Sequence, residues 1–180
     1  MRLRERLVAI HRTFAGAGIE HAFGGAIALA YWTDEPRGTR DIDVNVFTSP
    51  EHCERVLAAL PDGVPHDDHD VETIRRDGQV RLKWDDTPVD LFFSNLPIHD
   101  EAHRHRRTVP FEGTDIPILG PDELALFKAR FDRTRDWADI EAMLTARTLD
   151  PDTLRDALIE LLGPGDARLG RLDEALARSR

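Results

Sequence analysis

The chain has 180 residues, 41% of them hydrophobic and 32% charged, an ordinary globular balance that suits one packed domain with an appendage. A formal net charge of −10 excludes a protein that coats nucleic acid through a generally basic surface, although local patches still decide contact. The apolar run 22–32 is about half a membrane span, and residues 1–10 are too charged for a signal-peptide core. With a lone Cys53 and no metal-ligand spacing around it, a cytoplasmic protein without a membrane segment is expected.

Residues 3–15 place Leu3, Leu7, Ile10 and Phe14 at helical spacing, with Gly16 and Gly18 as the stop. Residues 19–23 read as a short strand leading into Gly24-Gly25, and 26–32 as a small-residue helix. A turn over 33–38, closed by Pro36 and Gly38, leads to a strand over 40–47. In that strand Asp41 and Asp43 alternate with Ile42, Val44 and Val46, so both carboxylates share one face and the aliphatics point to a core. Two carboxylates so placed repel, and a hard divalent ion relieves that cost; a solvated strand face is the alternative. Gly24-Gly25 at a helix N-terminus lets backbone N–H groups approach a phosphate.

Thr48-Ser49-Pro50-Glu51 signals a helix start, with the helix running to about Leu60 and an acidic loop over 61–70. His66 and His69 in that loop read as exposed side chains. Asp77-Gly78 between 71–76 and 79–84 predicts a hairpin, and Asp85-Asp86-Thr87-Pro88 turns the chain into a strand over 89–93. Asp90 interrupts that apolar strand, where an unpaired carboxylate is costly, so it needs a partner or an edge facing water. Residues 98–109 carry His99, His103 and His105 with Arg104, Arg106 and Arg107. They read as a basic face for a polyanion rather than a zinc site, since no third ligand accompanies His99 and His103.

Residues 111–116 read as a hairpin connection and 116–119 as a short strand. Gly120-Pro121-Asp122-Glu123 opens a helix with Leu124, Phe127 and Phe131 on its inner face and a half-buried Lys128 stem. Asp136 is placed to cap the next helix, whose stripe is Trp137, Ile140 and Leu144. Two further helices flank Gly163-Pro164-Gly165. The expected fold class is α/β (α+β): a short mixed β-sheet with flanking helices over 1–119, followed by a helical region over 120–180.

Gly24-Gly25, followed by Arg37-Gly38-Thr39-Arg40-Asp41-Ile42-Asp43-Val44, resembles the signature of the polymerase-β-type nucleotidyltransferase superfamily. More narrowly it is similar to AbiEii/MenT-like toxin nucleotidyltransferases. The fifteen residues between Gly25 and Asp41 exceed the superfamily's usual gap and accommodate a helix plus the 33–38 turn. Lys128 followed by Arg133-Thr134-Arg135-Asp136 resembles the second half of that pattern, so the likeness spans residues 19–144 in four ordered pieces.

The resemblance implies transfer of a nucleoside monophosphate from an NTP to an acceptor, an RNA such as the 3′ end of tRNA, by a toxin with an antitoxin partner. Small-molecule nucleotidyl transfer, as in antibiotic modification, is the alternative, and a catalytically silent relative the third reading. Two Mg²⁺ ions on Asp41, Asp43 and Asp90 are implied, with Lys128 and Asp136 completing the catalytic set and Asp139 competing with Asp136. Gly24, Gly25, Arg37, Thr39, Arg40 and Lys128 are the implied nucleotide contacts. Pairing of Lys128 and nearby arginines with Asp136 or Asp139 is the structural alternative.

Overall fold

The computed structural model describes residues 1–34 and 37–179; the expected turn at 33–38 includes Glu35 and Pro36 and so lies partly outside the described residues. The chain divides into two compact units, one of Met1–Ile27 with Gly38–Leu119 and one of Ala28–Arg37 with Gly120–Arg180.

The first unit is built on six strands: β1 (His21–Phe23), β2 (Ile42–Val46), β3 (Gln79–Trp84), β4 (Thr87–Phe93), β5 (Arg107–Phe111) and β6 (Thr114–Ile118). They lie in the order β3-β4-β2-β1-β6-β5, with β2–β4 and β1–β6 parallel and the other pairs antiparallel. Strand alternation sorts the side chains. Ile42, Val44, Val46, Val89, Leu91 and Phe93 are fully buried on one face, while Asp43 and Asp90 emerge on the other.

Helix α1 (Leu3–Gly16) buries Leu7, Ile10 and Phe14, and Phe14 meets the ring of His21 edge-on at 5.3 Å. Arg6, a buried cation of α1, clamps the β3–β4 turn by donating to Asp85 at 2.7 Å, to Asp86 at 3.0 Å and to the Thr87 hydroxyl. After Gly25–Trp32, which forms α2, and β2, the Ser49 hydroxyl caps a 3-10 turn (Pro50–His52) that leads into α3 (Cys53–Ala58). The β5–β6 hairpin turns through Glu112 and Gly113, both at positive φ.

The segment 71–76 is a helix, not the strand its pattern with Asp77-Gly78 predicted. Helix α4 (Asp68–Asp77) starts from a capping box in which Asp67 accepts from the Asp70 N–H at 3.2 Å and Asp70 accepts from the Asp67 N–H at 3.0 Å. Gly78, at φ 70°, closes it, its N–H donating to the Ile74 carbonyl at 2.7 Å. The positive φ that makes Asp-Gly a hairpin turn equally suits a helix C-terminus, and the capping acids decide between them. The hairpin turn falls at Asp85-Asp86 instead.

The histidine-rich segment splits into α5 (Ile98–His105) and β5. His99 is buried with Nδ1 3.1 Å from the Leu96 carbonyl, and His103 reaches Glu20. Its arginines are largely engaged too: Arg104 with Glu101, Arg106 with Glu20, and Arg107 with the His105 carbonyl at 2.8 Å.

The second unit is helical: the end of α2, then α6 (Pro121–Phe131), α7 (Thr134–Thr145), α8 (Pro151–Leu162) and α9 (Ala167–Arg178). Leu124, Ala125, Ile140, Met143, Leu144, Leu158 and Leu172 form its interior. Phe127 is only half-buried and Phe131 is 39% exposed, so the inner face of α6 runs through Leu124, Ala125, Lys128 and Ala129 rather than through its phenylalanines. Asp132 ends α6 in the left-handed region and accepts from the Trp137 indole at 2.7 Å and from Arg171 at 2.6 Å. Its carboxyl is held below the usual range, chiefly by the Trp137 bond. Among the described residues no helix is long and apolar enough to cross a membrane.

Candidate active site

The site in the sheet unit follows from register. Asp43 and Asp90 are direct partners across β2 and β4, and Arg81 is the partner of Asp90 across β4 and β3. Three charged side chains therefore leave the same face in a row, each about one strand spacing (~4.8 Å) from the next. Asp41 lies two residues before Asp43, just ahead of β2 rather than inside it.

Arg81 grips Asp90 with both arms, Nε to Oδ1 and Nη2 to Oδ2, each at 2.7 Å, and Nη2 stands 3.9 Å from an Asp41 oxygen. This fork-to-carboxylate geometry is the strong form of the ion pair. The bonds it donates to Asp90 and the charge of that carboxylate, assisted by the charges of Asp41 and Asp43, hold the guanidinium pKa well above its ordinary value. The buried carboxylate in the apolar strand thus has its partner. Among the described residues, no three His, Cys, Asp or Glu side chains close on a common metal position as they stand, and the cation beside these acids is Arg81. The alternation of residues 79–84 does not by itself single out Arg81. The usable signal was the two-residue turn at Asp85-Asp86, which fixes residue 81 opposite residue 90.

The glycine pair is explained by Asp43. A Cβ on Gly25 would stand 1.8 Å from Asp43 Oδ2, and Gly25 has φ +51°, so both space and backbone demand glycine there. A Cβ on Gly24 would lie 2.9 Å from the buried Asn45 amide and 3.2 Å from Leu119. The Gly24 N–H, expected to face phosphate, donates to the Asp43 carbonyl at 2.9 Å and so serves the sheet. The amides that α2 offers at its N-terminus begin at Gly25. Thr39 braces the approach to β2: its hydroxyl accepts from the Asp41 N–H at 3.1 Å. Arg40 is exposed.

In the helical unit a second ionic group assembles. Lys128, buried on α6, donates to Asp139 Oδ2 at 2.6 Å, and Arg37 grips both Asp139 oxygens at 2.9 Å. Burial would raise the Asp139 pKa, but the bonds from Arg37 and Lys128 outweigh it and leave the carboxyl below its ordinary range. Asp136, 1% exposed, instead accepts from Arg133, from its side chain at 2.6 Å and its backbone N–H at 3.3 Å, as the acid of the α7 N-terminus. The lysine's acid is therefore Asp139, and Asp136 is the helix-starting one.

Three solved structures share the fold. A nucleotidyltransferase-like antigen of Paracoccidioides brasiliensis superposes with TM-score 0.54 at 17% identity, over 97% of this chain and 93% of that one. The lincosamide antibiotic adenylyltransferase LnuA matches with TM-score 0.54 at 17% identity, over 79% of this chain and 96% of that one. The antibiotic-resistance factor ANT(2'')-Ia matches with TM-score 0.53 at 12% identity, over 96% and 88% respectively. A search of curated protein sequences returned no match. The family described as nucleotidyl transferase AbiEii toxin, type IV TA system, matches residues 7–178. That match runs from α1 to the end of α9 and takes in Asp41, Asp43, Asp90 and Lys128, and the chain belongs to the AbiEii family of toxin nucleotidyltransferases.

Proposed function

We propose that the protein transfers a nucleoside monophosphate from an NTP to an RNA acceptor, the 3′ end of a tRNA, as the toxin of a cytoplasmic toxin–antitoxin pair. The observation that carries the chemistry is the register that sets Asp43 beside Asp90, with Asp41 two residues upstream. All three are carboxylate oxygen donors, the set that suits a hard divalent ion such as magnesium. Asp41, Asp43 and Asp90 would hold it, and when bound it supplies positive charge to the attacking and leaving oxygens of phosphoryl transfer.

The chain's own residues do the rest. Amides of α2 from Gly25 onward face phosphate oxygens, where the helix dipole favours anions. Asp90 accepts the proton of the acceptor hydroxyl as its oxygen attacks the α-phosphorus, and the bond to the α,β-bridging oxygen breaks to release pyrophosphate. Thr39 fixes the backbone of Asp41 and so orients its carboxylate.

The net charge of −10 favours a second acceptor class, a small neutral or cationic molecule, and LnuA, solved with lincomycin bound, is a small-molecule adenylyltransferase of this fold. The test is incubation with each labelled NTP and Mg²⁺, alongside either total RNA or a panel of small amines and alcohols. Label on RNA 3′ ends supports the proposal. Label on small molecules alone replaces the acceptor, and no transfer to either sinks the enzymatic reading.

A further inference from the structure

We propose that Arg81 is the counter-ion of the carboxylate site in the absence of metal, and that it competes with the divalent ion for Asp90 and Asp41. The inference rests on the metal reading of those acids given above.

The charge arrangement requires some cation. Asp43 and Asp90 are register partners, Asp41 lies two residues from Asp43, and like charges at one strand spacing repel. Arg81 answers that repulsion from the neighbouring strand, occupying both oxygens of Asp90 and standing 3.9 Å from Asp41. A divalent ion on Asp90 would meet a guanidinium bound to the same carboxylate, and two cations sharing one acid repel.

The two partners differ in freedom. The Asp90 side chain is 12% exposed, fixed in a strand between β2 and β3, whereas that of Arg81 is 61% exposed at the surface of β3. The cation is the partner that can leave. β3 is also the edge strand of the sheet, so an outward swing of Arg81 displaces no strand beyond it. Once off Asp90 the guanidinium is one strand from the site, a position from which its planar fork suits phosphate.

Binding of Mn²⁺, followed by the electron paramagnetic resonance of the free ion without nucleotide, tests this on wild type, Arg81→Gln, Arg81→Lys and Asp90→Asn. Arg81→Gln is expected to bind about tenfold tighter than wild type, Arg81→Lys in between, because a point charge keeps part of the competition without the bidentate grip. Melting in chelator should place Arg81→Gln below wild type, with added Mn²⁺ closing the gap. Wild type binding Mn²⁺ as tightly as both Arg81 variants, with equal melting deficits with and without the ion, overturns the proposal and reduces Arg81 to a staple between β3 and β4. If neither wild type nor any Arg81 variant binds Mn²⁺, the metal reading itself fails and takes this inference with it. Should Arg81→Gln not fold, the comparison of wild type with Arg81→Lys decides.

Discussion

Asp43 of β2 and Asp90 of β4 are register partners on adjacent parallel strands, one preceding the second residue of an aliphatic triplet and the other interrupting the apolar run 89–93. Neither strand's folding calls for a carboxylate there. Replacing either by Asn keeps shape and removes charge. Asp43→Asn and Asp90→Asn should each lower nucleotidyl transfer by about a hundredfold or more while circular dichroism stays unchanged. A folded Asp43→Asn protein with wild-type turnover would remove the pair from the mechanism.

Gly25→Ala places a methyl group against Asp43 Oδ2 in a backbone conformation that disfavours a Cβ. The expected cost is about 1–3 kcal/mol of stability, read by chemical denaturation. Activity should fall further than stability does, because the carboxylate has to move to admit the methyl. Gly16→Ala, where nothing lies within 4 Å of the added atom, is the control and should be neutral or slightly stabilising.

Lys128→Met leaves Asp139 buried with Arg37 still gripping its carboxylate. Losing one partner of a buried pair costs about 3–5 kcal/mol, with Arg37 keeping the loss toward the lower figure. The acid limb should report the same pairing. Because the folded Asp139 pKa lies below its unfolded value, its stabilisation is present above the unfolded pKa and disappears as pH falls through the lowered folded one. In Lys128→Met that limb should move to higher pH in melting curves.

His21 provides a second pH dependence. Its ring is buried between Phe14 and Phe23, with Nδ1 2.8 Å from the Ile19 carbonyl and Nε2 3.1 Å from His11. A carbonyl only accepts, so Nδ1 carries the proton and Nε2 accepts from His11. Burial is the main cause that brings the His21 pKa down to about 4; the charges of His11 and Arg106 act the same way, and the Ile19 bond and Glu20 oppose them. The unfolded chain takes up this proton near pH 6.5 and the folded one only near 4. Stability is therefore full above 6.5 and falls through that window, by about 3 kcal/mol when complete. His21→Gln should flatten this part of the profile measured by urea denaturation between pH 7 and 4.

Much of the sheet was readable because its strands obey period two. Ile42, Val44 and Val46 against Asp41 and Asp43 gave both the element and the face of the acids, and the 120–144 helices followed from Gly120-Pro121 and the Trp137 stripe. The 71–76 segment was misread because Asp-Gly serves two backbone geometries, and the deciding Asp67–Asp70 capping box sits outside the window that the hairpin pattern considers. Which acid meets Lys128 was not legible. Asp136 and Asp139 are three apart on one helix face, and only packing chooses between them. The buried role of Arg6 and the grip of Arg81 were equally silent, since a long cation in an amphipathic pattern reads as solvent-facing.

The helical unit draws residues 28–37 from the front of the chain, so its composition is discontinuous. Thr148 bonds the Trp32 carbonyl at 2.6 Å, and Arg37 holds Asp139. A fragment cut between residues 119 and 120 would strip the downstream piece of its own inner helix end and one of two cations on a buried acid. Neither gene half should yield a soluble, well-behaved product by itself, and moving the break to any other point between residues 37 and 120 leaves the same two pieces apart.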